Sequence, residues 1–382
     1  MIGIITIVKV NNYGAELQAF ALQKKLELLG YRSEIIDYLY YKNWNFNDTA
    51  MSKPFISMGI KAKAVYWAKY RLVNFLLAKV FPVFNKSVRL RLLRFDSFHR
   101  RNTKFSRQYR SMPDLYNAKL DYDVFVVGSD QVWNPMASSS IEPYFLTFAP
   151  KGARKISYAS SFGVSQIDKS LHERFRDLLN NIDVISVRET SGQDLVKLLT
   201  GRHAELVADP TLLLTKQEWG KYMAEYPSMP KRYVLIYQLS DSVAIVRLAK
   251  RIAEEKGLPV FRICKRAFGE RKDGGVTNIL DAGPAEFLWL IAHAEYVVTN
   301  SFHGTAFSVN FSIPFFTVVS STKKNNSRME SLLTAVDLRD RMQSDDIDIS
   351  SIKLAVPDFS QTGKWLESIR QKSETFITNN LK

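Results

Sequence analysis

The sequence predicts an α/β protein with two domains in tandem. Its 382 residues exceed the usual size of one domain and suffice for two hydrophobic cores. Short apolar runs alternate with amphipathic stretches, which is typical of strands and helices in βαβ units. Polar residues follow several apolar runs where strand gives way to helix. We therefore expect domains over 1–210 and 211–355, a C-terminal helix over 356–382, and a cleft between the domains.

The composition is that of an ordinary globular protein, with 46% hydrophobic and 24% charged residues. A single cysteine, Cys264, excludes an internal disulfide and favours a reducing compartment. The apolar N-terminus is too short for a signal peptide and predicts a first strand instead. No uncharged apolar run is long enough to span a bilayer. We expect a cytoplasmic protein without a metal site, since no cysteine or histidine cluster has metal-ligand spacing.

The positive charge is concentrated in a basic segment at about 51–110. This segment has 15 lysines and arginines against one acid, Asp96, and it interleaves them with aromatic and aliphatic residues. The pattern suits an anionic membrane surface, and nucleic acid is a second polyanion of the right charge. A helical excursion whose basic residues only solvate one face explains the apolar residues equally well, but not the missing acids. We expect a basic helical excursion that contacts the inner face of a membrane and not nucleic acid.

The N-terminal stretch predicts one βαβ unit with a polar turn. A strand over 2–10 precedes the turn, and a helix with an apolar stripe follows it and ends at Gly30. The turn lacks both G-x-G-x-x-G and G-K-[ST], which excludes a dinucleotide fingerprint and a P-loop. Its side chains instead offer neutral hydrogen bonds of the kind that a sugar needs, although simple helix capping would be favoured on this turn alone. The residues concerned are Asn11, Asn12, Tyr13, Gly14 and Gln18.

A second polar stretch follows the strand predicted at 123–127. Asp130 could serve as the general base for a hydroxyl, and Trp133 could stack on a sugar ring. An Asx turn beside a buried tryptophan is an equally weighted alternative. A later strand, at 183–187, ends in Arg188. The polar stretch as a whole consists of Gly128, Ser129, Asp130, Gln131, Val132, Trp133, Asn134 and Pro135.

The most concentrated functional pattern lies at 296–319, where a buried strand runs into small polar residues and a helix. Such a strand end lies at the carboxyl edge of an α/β sheet, and the first helix amides can hold an anion there. His303 can add a proton or a positive charge. Helix capping and a packed histidine are the alternative, but the convergence of these groups favours a functional site. The polar residues are Thr299, Asn300, Ser301, His303, Gly304 and Thr305.

Together these stretches resemble the polysaccharide pyruvyl transferase family. The resemblance lies in NNYGAELQAFALQKKLELLG, DVFVVGSDQVWNP, ISYASSFG, ISVRE, ADPTLLL and VVTNSFHGTAFS. It implies a GT-B-like fold with two Rossmann-like domains facing a cleft, and no cofactor. It also implies transfer of pyruvate from phosphoenolpyruvate onto two hydroxyls of a sugar or lipid-linked oligosaccharide, as a ketal, in surface polysaccharide synthesis.

The resemblance also assigns roles to individual residues. The family's histidine falls on His303, which we expect to act as general acid or phosphate ligand, with Asp130 as base. The family's arginine two residues earlier is replaced by Ser301, so we expect Arg188 and Arg328 to contact the anion. The other predicted substrate-binding residues are Asn11, Asn12, Tyr13, Gly14, Gln18, Ser129, Gln131, Trp133, Asn134, Asn300, Ser301, Gly304 and Thr305.

Two alternatives of other classes stay open. A GT-B-type glycosyltransferase that uses a nucleotide sugar would share the two-domain architecture and the anion site. A non-enzymatic protein that binds polysaccharide, lipid or nucleic acid would use the basic segment instead.

Overall fold

The computed structural model describes residues 1–41, 43–47, 61, 64–65, 68–135, 141–265, 272–322 and 326–381. Most of the first third of the basic segment, and residues 323–325 shortly before Arg328, lie outside the described residues. The chain divides into two compact units. The first comprises Met1–Asn85, His99–Leu213 and Lys372–Lys382, and the second comprises Lys86–Phe98 and Leu214–Gln371.

The first unit is built on a parallel sheet. Its strands are β1 (Ile2–Ile5), β2 (Ser33–Tyr38), β3 (Phe105–Tyr109), β4 (Val124–Val127), β5 (Arg154–Ser157), β6 (Ser186–Val187) and β7 (Glu205–Leu206). The order is β3-β2-β1-β4-β5, and the β6-β7 pair continues beyond β5 through isolated bridges. Both β1 and β4 are buried along their whole length, as expected of a parallel sheet that is covered on both faces.

The second unit repeats this arrangement. Its strands are β8 (Val234–Tyr237), β9 (Val260–Ile263), β10 (Val276–Ile279), β11 (Tyr296–Thr299), β12 (Phe315–Val319) and β13 (Met342–Ser344). They are parallel and follow the order β10-β9-β8-β11-β12-β13. Counted within each unit, both sheets have the strand order of Rossmann folds. This confirms the predicted fold class, an α/β chain with two Rossmann-like parts as in GT-B-like proteins.

Helices connect the strands in both units. In chain order they are α1 (Tyr13–Leu28), α2 (Phe81–Phe84), α3 (Lys86–Asn102), α4 (Met112–Tyr116), α5 (His172–Asn180), α6 (Thr190–Thr200), α7 (Pro210–Leu213), α8 (Lys216–Gly220), α9 (Val243–Lys256), α10 (Pro284–Ala292), α11 (Phe302–Phe311), α12 (Ser327–Ala335) and α13 (Ser360–Asn380). Two π-helical segments, Ala68–Val73 and Leu76–Val80, precede α2. Over the described ranges, no helix is long and apolar enough to cross a bilayer.

The helix α1 is buried on nearly all sides, whereas its sequence predicted a single apolar stripe. The difference arises because its polar side chains find partners inside the unit. Glu16 accepts a hydrogen bond from the Val10 amide at 3.0 Å, and its other oxygen lies 2.8 Å from the His99 imidazole. Gln23 bonds to both the amide and the carbonyl of Lys104. Polar groups with partners can be buried without a large penalty.

Each sheet reverses its strand order at one point. In the first unit this point lies between β1 and β4, where Ile5 pairs with Val127. In the second it lies between β8 and β11, where Tyr237 pairs with Thr299. Open α/β sheets bind ligands outside the carboxyl ends of the strands at such switch points. The residues that directly follow these strands are therefore the expected location of a functional site in each unit.

Candidate functional site

Gln18 holds the switch point of the first unit together. Its amide nitrogen donates to the Thr6 hydroxyl at 2.9 Å, and its carbonyl oxygen accepts from the Ser129 amide at 3.0 Å. The Thr6 hydroxyl in turn donates to the Ser129 carbonyl at 3.0 Å, and the Ser129 hydroxyl donates to Ala159 at 2.7 Å. Gln18 and Ser129 are fully buried. Both residues were predicted to bind substrate, but their hydrogen bonds join α1 to the ends of β1 and β4.

Arg188 lies among three carboxylates with its side chain completely buried. It donates to Asp209 at 2.6 Å and to Asp130 at 3.3 Å, and its Nε lies 3.7 Å from the Glu189 carboxylate. Burial by itself lowers the pKa of Arg188, but the charges of Asp209, Asp130 and Glu189 outweigh burial and raise the pKa above its ordinary value. The guanidinium therefore stays charged and is fully compensated by its neighbours.

The prediction that Arg188 contacts a substrate anion does not fit this environment. Its side chain has no exposed surface, and its charge is already compensated. An incoming phosphate or carboxylate would also meet the three neighbouring carboxylates, which repel it. Arg188 instead anchors the acidic residues that follow β4, β6 and β7.

Asp130 keeps one carboxylate oxygen available. Its Oδ1 accepts from Arg188, whereas its Oδ2 makes no hydrogen bond to any residue that the structure describes. The side chain is 14% exposed. The backbone of Asp130 has a left-handed φ of 69°, which aspartate tolerates better than most residues. One oxygen is thus fixed and the other is open, which suits a base that receives a proton from a bound hydroxyl.

The turn after β1 is mainly structural. Asn12 is the N-cap of α1, where it accepts from the amides of Gly14 and Ala15 at 3.0 and 3.4 Å. Tyr13 and Gly14 are buried. Asn11 has a left-handed φ of 52°, and among the four predicted turn residues it alone is exposed. Helix capping, the alternative interpretation of this turn, therefore accounts for Asn12.

Trp133 does not face a ligand. It is 0% exposed, its indole nitrogen donates to the Tyr144 carbonyl at 2.9 Å, and its ring stacks on Phe145. The predicted stacking on a sugar is therefore wrong, because the ring belongs to the core of the first unit. Nearby, the side-chain amide of Asn134 donates to the side-chain carbonyl oxygen of Gln131 at 2.8 Å. Gln131 and Asn134 thus support each other within the loop after β4.

In the second unit, α11 begins directly against the ends of the strands. Ser301 is the N-cap, and its hydroxyl accepts from the Gly304 amide at 3.4 Å. A Cβ atom on Gly304 would lie 2.4 Å from Thr299 Oγ1, so glycine is needed for this close approach. The Thr305 hydroxyl donates to the Ser301 carbonyl at 3.1 Å and lies 2.7 Å from the Thr317 hydroxyl. These small residues fix the first turn of the helix in place.

Asn300 connects the two strands at the switch point. Its carbonyl oxygen accepts from the Leu239 amide at 2.7 Å, and its amide nitrogen donates to the Ser240 carbonyl at 2.9 Å. These bonds satisfy the backbone that follows β8, so Asn300 has a structural role like that of Gln18 in the first unit.

His303 lies in the first turn of α11 and is 7% exposed. Its ring meets the ring of Phe302 edge to face, with centroids 5.3 Å apart. The guanidinium of Arg328, at the start of α12, lies 5.6 Å from the centroid of the same Phe302 ring. A histidine, an arginine and a helix N-terminus thus lie at the carboxyl edge of one sheet, although the catalytic and binding roles of these residues stay predictions.

Sequence reasoning missed several polar residues at these edges. Gln238 directly follows β8, and its buried Oε1 makes no hydrogen bond within the described part of the chain. Glu189 and Asp209 follow β6 and β7, and both contact Arg188. The signal was present, because ISVRE and ADPTLLL contain these two acids at the ends of predicted strands. Glu189 is next to Arg188 in the sequence, but Asp209 is 21 residues away, and no spacing rule pairs residues at that distance.

Comparison with solved structures finds chains of similar overall length but low similarity. UDP-N-acetylglucosamine 2-epimerase from Rickettsia bellii aligns over 99% of this chain and 97% of its own, with a TM-score of 0.47 and 9% identity. UGT89C1 of Arabidopsis thaliana, complexed with UDP-L-rhamnose, aligns over 100% and 96%, with a TM-score of 0.47 and 12% identity. The glycosyltransferase SnogD from Streptomyces nogalater aligns over 98% and 94%, with a TM-score of 0.43 and 10% identity. Similarity at this level indicates no activity.

Comparison with protein families gives a direct result. No curated protein matches the sequence. A sequence model of the family described as polysaccharide pyruvyl transferase matches residues 12–322, which is most of the chain. The match includes Asp130, His303 and the loops after β4, β6, β7 and β11. The chain therefore belongs to the polysaccharide pyruvyl transferase family, a family of transferases.

Proposed function

We propose that the protein transfers the pyruvyl group of phosphoenolpyruvate onto two hydroxyls of a sugar, as a ketal, in the synthesis of a surface polysaccharide. The observation that carries this proposal is the position of His303 in the first turn of α11. The His303 ring contacts the Phe302 ring, and the Arg328 guanidinium lies 5.6 Å from the centroid of that same ring. Family membership supports a pyruvyl transferase, and this group of residues supplies the charge that such a donor requires.

The donor would bind at the carboxyl edge of the second sheet. Phosphoenolpyruvate carries a phosphate and a carboxylate, and the N-terminus of α11 favours either anion through its amides and its dipole. Arg328 would bind one anionic group with paired hydrogen bonds. Gln238, which follows β8 at the same edge, would donate from its amide nitrogen to the carboxylate.

The chemistry then requires one acid and one base. His303 protonates the methylene carbon of the donor, which develops positive charge on the adjacent carbon. A sugar hydroxyl adds to that carbon while Asp130 takes its proton. Phosphate leaves with its electron pair, and a second hydroxyl of the sugar closes the ketal. Of the two hydroxyl protons, one replaces the proton that His303 donated and the other leaves with phosphate.

Replacing His303 tests the acid. We predict that His303→Ala lowers pyruvyl transfer by about 10²-fold or more, because a positioned general acid contributes at least that much. His293→Ala is the matched control, since His293 is exposed at the end of α10. Rates follow from phosphate release in the presence of phosphoenolpyruvate and acceptor, and melting temperatures check the fold. Turnover like wild type in His303→Ala would remove His303 from the mechanism.

Replacing Arg328 tests the anion contact. We predict that Arg328→Lys weakens phosphoenolpyruvate binding by about tenfold, because a point charge does not reproduce the paired hydrogen bonds of a guanidinium. Arg339→Lys is the control, since Arg339 is an exposed arginine of the same unit. Calorimetric titration with phosphoenolpyruvate measures both variants. Equal affinity in Arg328→Lys and wild type would show that the missing family arginine is replaced elsewhere.

We further propose that the protein acts in the cytoplasm at the inner face of the membrane, where lipid-linked acceptors are built. The basic segment has a net charge of +14, from 15 basic residues and one acid. In its described part, Val83 and Phe84 are 69% and 84% exposed at the end of α2, and Phe75 and Phe81 are also exposed. Exposed aromatics beside basic residues suit an anionic lipid surface.

Vesicle co-sedimentation tests this contact. We predict binding that requires anionic lipid and falls with salt, because each basic residue near such a surface contributes about 1 kcal/mol that salt screens. Phe84→Asp should weaken binding, whereas Leu198→Asp, at an exposed position of α6, should not. Sedimentation that is independent of anionic lipid and of salt would contradict a membrane-facing basic segment.

A further inference from the structure

Three tyrosines follow strands of the first sheet, at the carboxyl edge at which Asp130 also lies. Tyr40 and Tyr41 follow the end of β2, with ring centroids 4.5 Å apart. Tyr144 lies in the 3-10 turn Glu142–Phe145 that follows the β4 loop, and its ring meets that of Tyr38 edge to face at 6.1 Å. None of these three residues belongs to a motif that the sequence analysis singled out.

The phenols of Tyr40 and Tyr144 remain protonated in this environment. Burial raises the pKa of Tyr40, and Tyr41, Tyr144 and Asp130 raise it further. Burial likewise raises the pKa of Tyr144, with added contributions from Tyr41 and Asp130. The Tyr40 and Tyr144 hydroxyls therefore stay available as hydrogen-bond donors.

Hydrogen-bonding capacity in this cluster is left over. The Tyr144 hydroxyl is buried and makes no hydrogen bond to the residues that the structure describes. The Oδ2 atom of Asp130 is likewise unengaged by the described residues. Buried polar groups in native proteins are almost always satisfied, so the open Tyr144 hydroxyl indicates a ligand with a hydrogen-bond acceptor. The Asp130 side chain is 14% exposed, so its open oxygen can be reached by a ligand hydroxyl.

The charge at this edge excludes an anionic ligand. Asp130, Glu189 and Asp209 surround one guanidinium, that of Arg188, so the local charge is negative. A phosphate or a carboxylate would be repelled, whereas a neutral ligand with many hydroxyls would not. Tyrosine also suits a sugar, because its ring contacts the C–H face while its hydroxyl meets the sugar hydroxyls.

We propose that Tyr40, Tyr41 and Tyr144 form, with Asp130, the subsite that binds the acceptor sugar. This inference rests on the proposed function and adds the part of the first unit that selects the acceptor. Tyr40 and Tyr41 hold the sugar ring, Tyr144 donates a hydrogen bond to one sugar hydroxyl, and Asp130 receives the proton of the hydroxyl that attacks. The tyrosines are positioning residues, and Asp130 is the base.

Saturation-transfer NMR with methyl glycosides of galactose, glucose, mannose and N-acetylmannosamine tests the subsite on the full-length protein. We expect wild type to bind at least one glycoside, and Tyr144→Phe and Tyr41→Phe to weaken that binding by about tenfold, because a site built around a hydroxyl partner loses affinity without it. Tyr116→Phe is the control, since the Tyr116 hydroxyl bonds to Thr147 outside the cluster.

The melting temperature separates binding from folding. Because the Tyr144 hydroxyl makes no hydrogen bond to described residues, Tyr144→Phe should not lower the melting temperature while it weakens sugar binding. Wild type that binds no glycoside of the panel, or cluster variants that bind like wild type, would overturn the subsite.

A separate measurement distinguishes failure of the subsite from failure of the proposed function. It is the binding of phosphoenolpyruvate, measured as a shift in the melting temperature of the protein. If sugar binding depends on the tyrosines but phosphoenolpyruvate does not bind, the subsite is supported and the proposed donor is contradicted. If phosphoenolpyruvate binds and turns over but the cluster variants have an unchanged KM for the acceptor, the donor is supported and the subsite is contradicted.

Discussion

Parallel strands that end together leave backbone amides and carbonyls without ladder partners, and both units must satisfy these groups with side chains. Gln18 does so in the first unit by accepting from the Ser129 amide, and Asn300 does so in the second by bonding to the Leu239 amide and the Ser240 carbonyl. This constraint explains why most polar residues at the strand ends are structural. Asp130 differs from them, because its side chain bonds to Arg188 and not to the backbone of its own strand end.

The two strand-end regions differ in charge. In the first unit a buried arginine is outnumbered by the carboxylates of Asp130, Glu189 and Asp209, so the edge favours neutral ligands with hydroxyl groups. In the second unit His303, Arg328 and the N-terminus of α11 lie at one edge, which favours anions. In the proposed function this division assigns the sugar to the first unit and phosphoenolpyruvate to the second.

The sequence predicted the central strands because they are short continuous apolar runs, and β4 lies within the predicted strand at 123–127. It missed β3, β10 and β13, which are edge strands with mixed burial and therefore no such run. The sequence located Asp130 and His303 because the type of a residue and its position after an apolar run can be read from a few neighbouring residues. It misjudged Arg188 because burial and compensation are not local: Asp130, one of its partners, lies 58 residues away.

The most direct test of a pyruvyl transferase is to incubate the protein with phosphoenolpyruvate and candidate lipid-linked sugars, and to follow acceptor mass together with released phosphate. The account predicts that one acceptor gains a pyruvate ketal as phosphate appears in equal amount, and that nucleotide sugars do not replace phosphoenolpyruvate. Acceptors that stay unchanged with phosphoenolpyruvate but are lengthened by a sugar from a nucleotide sugar would contradict it and identify a glycosyltransferase instead.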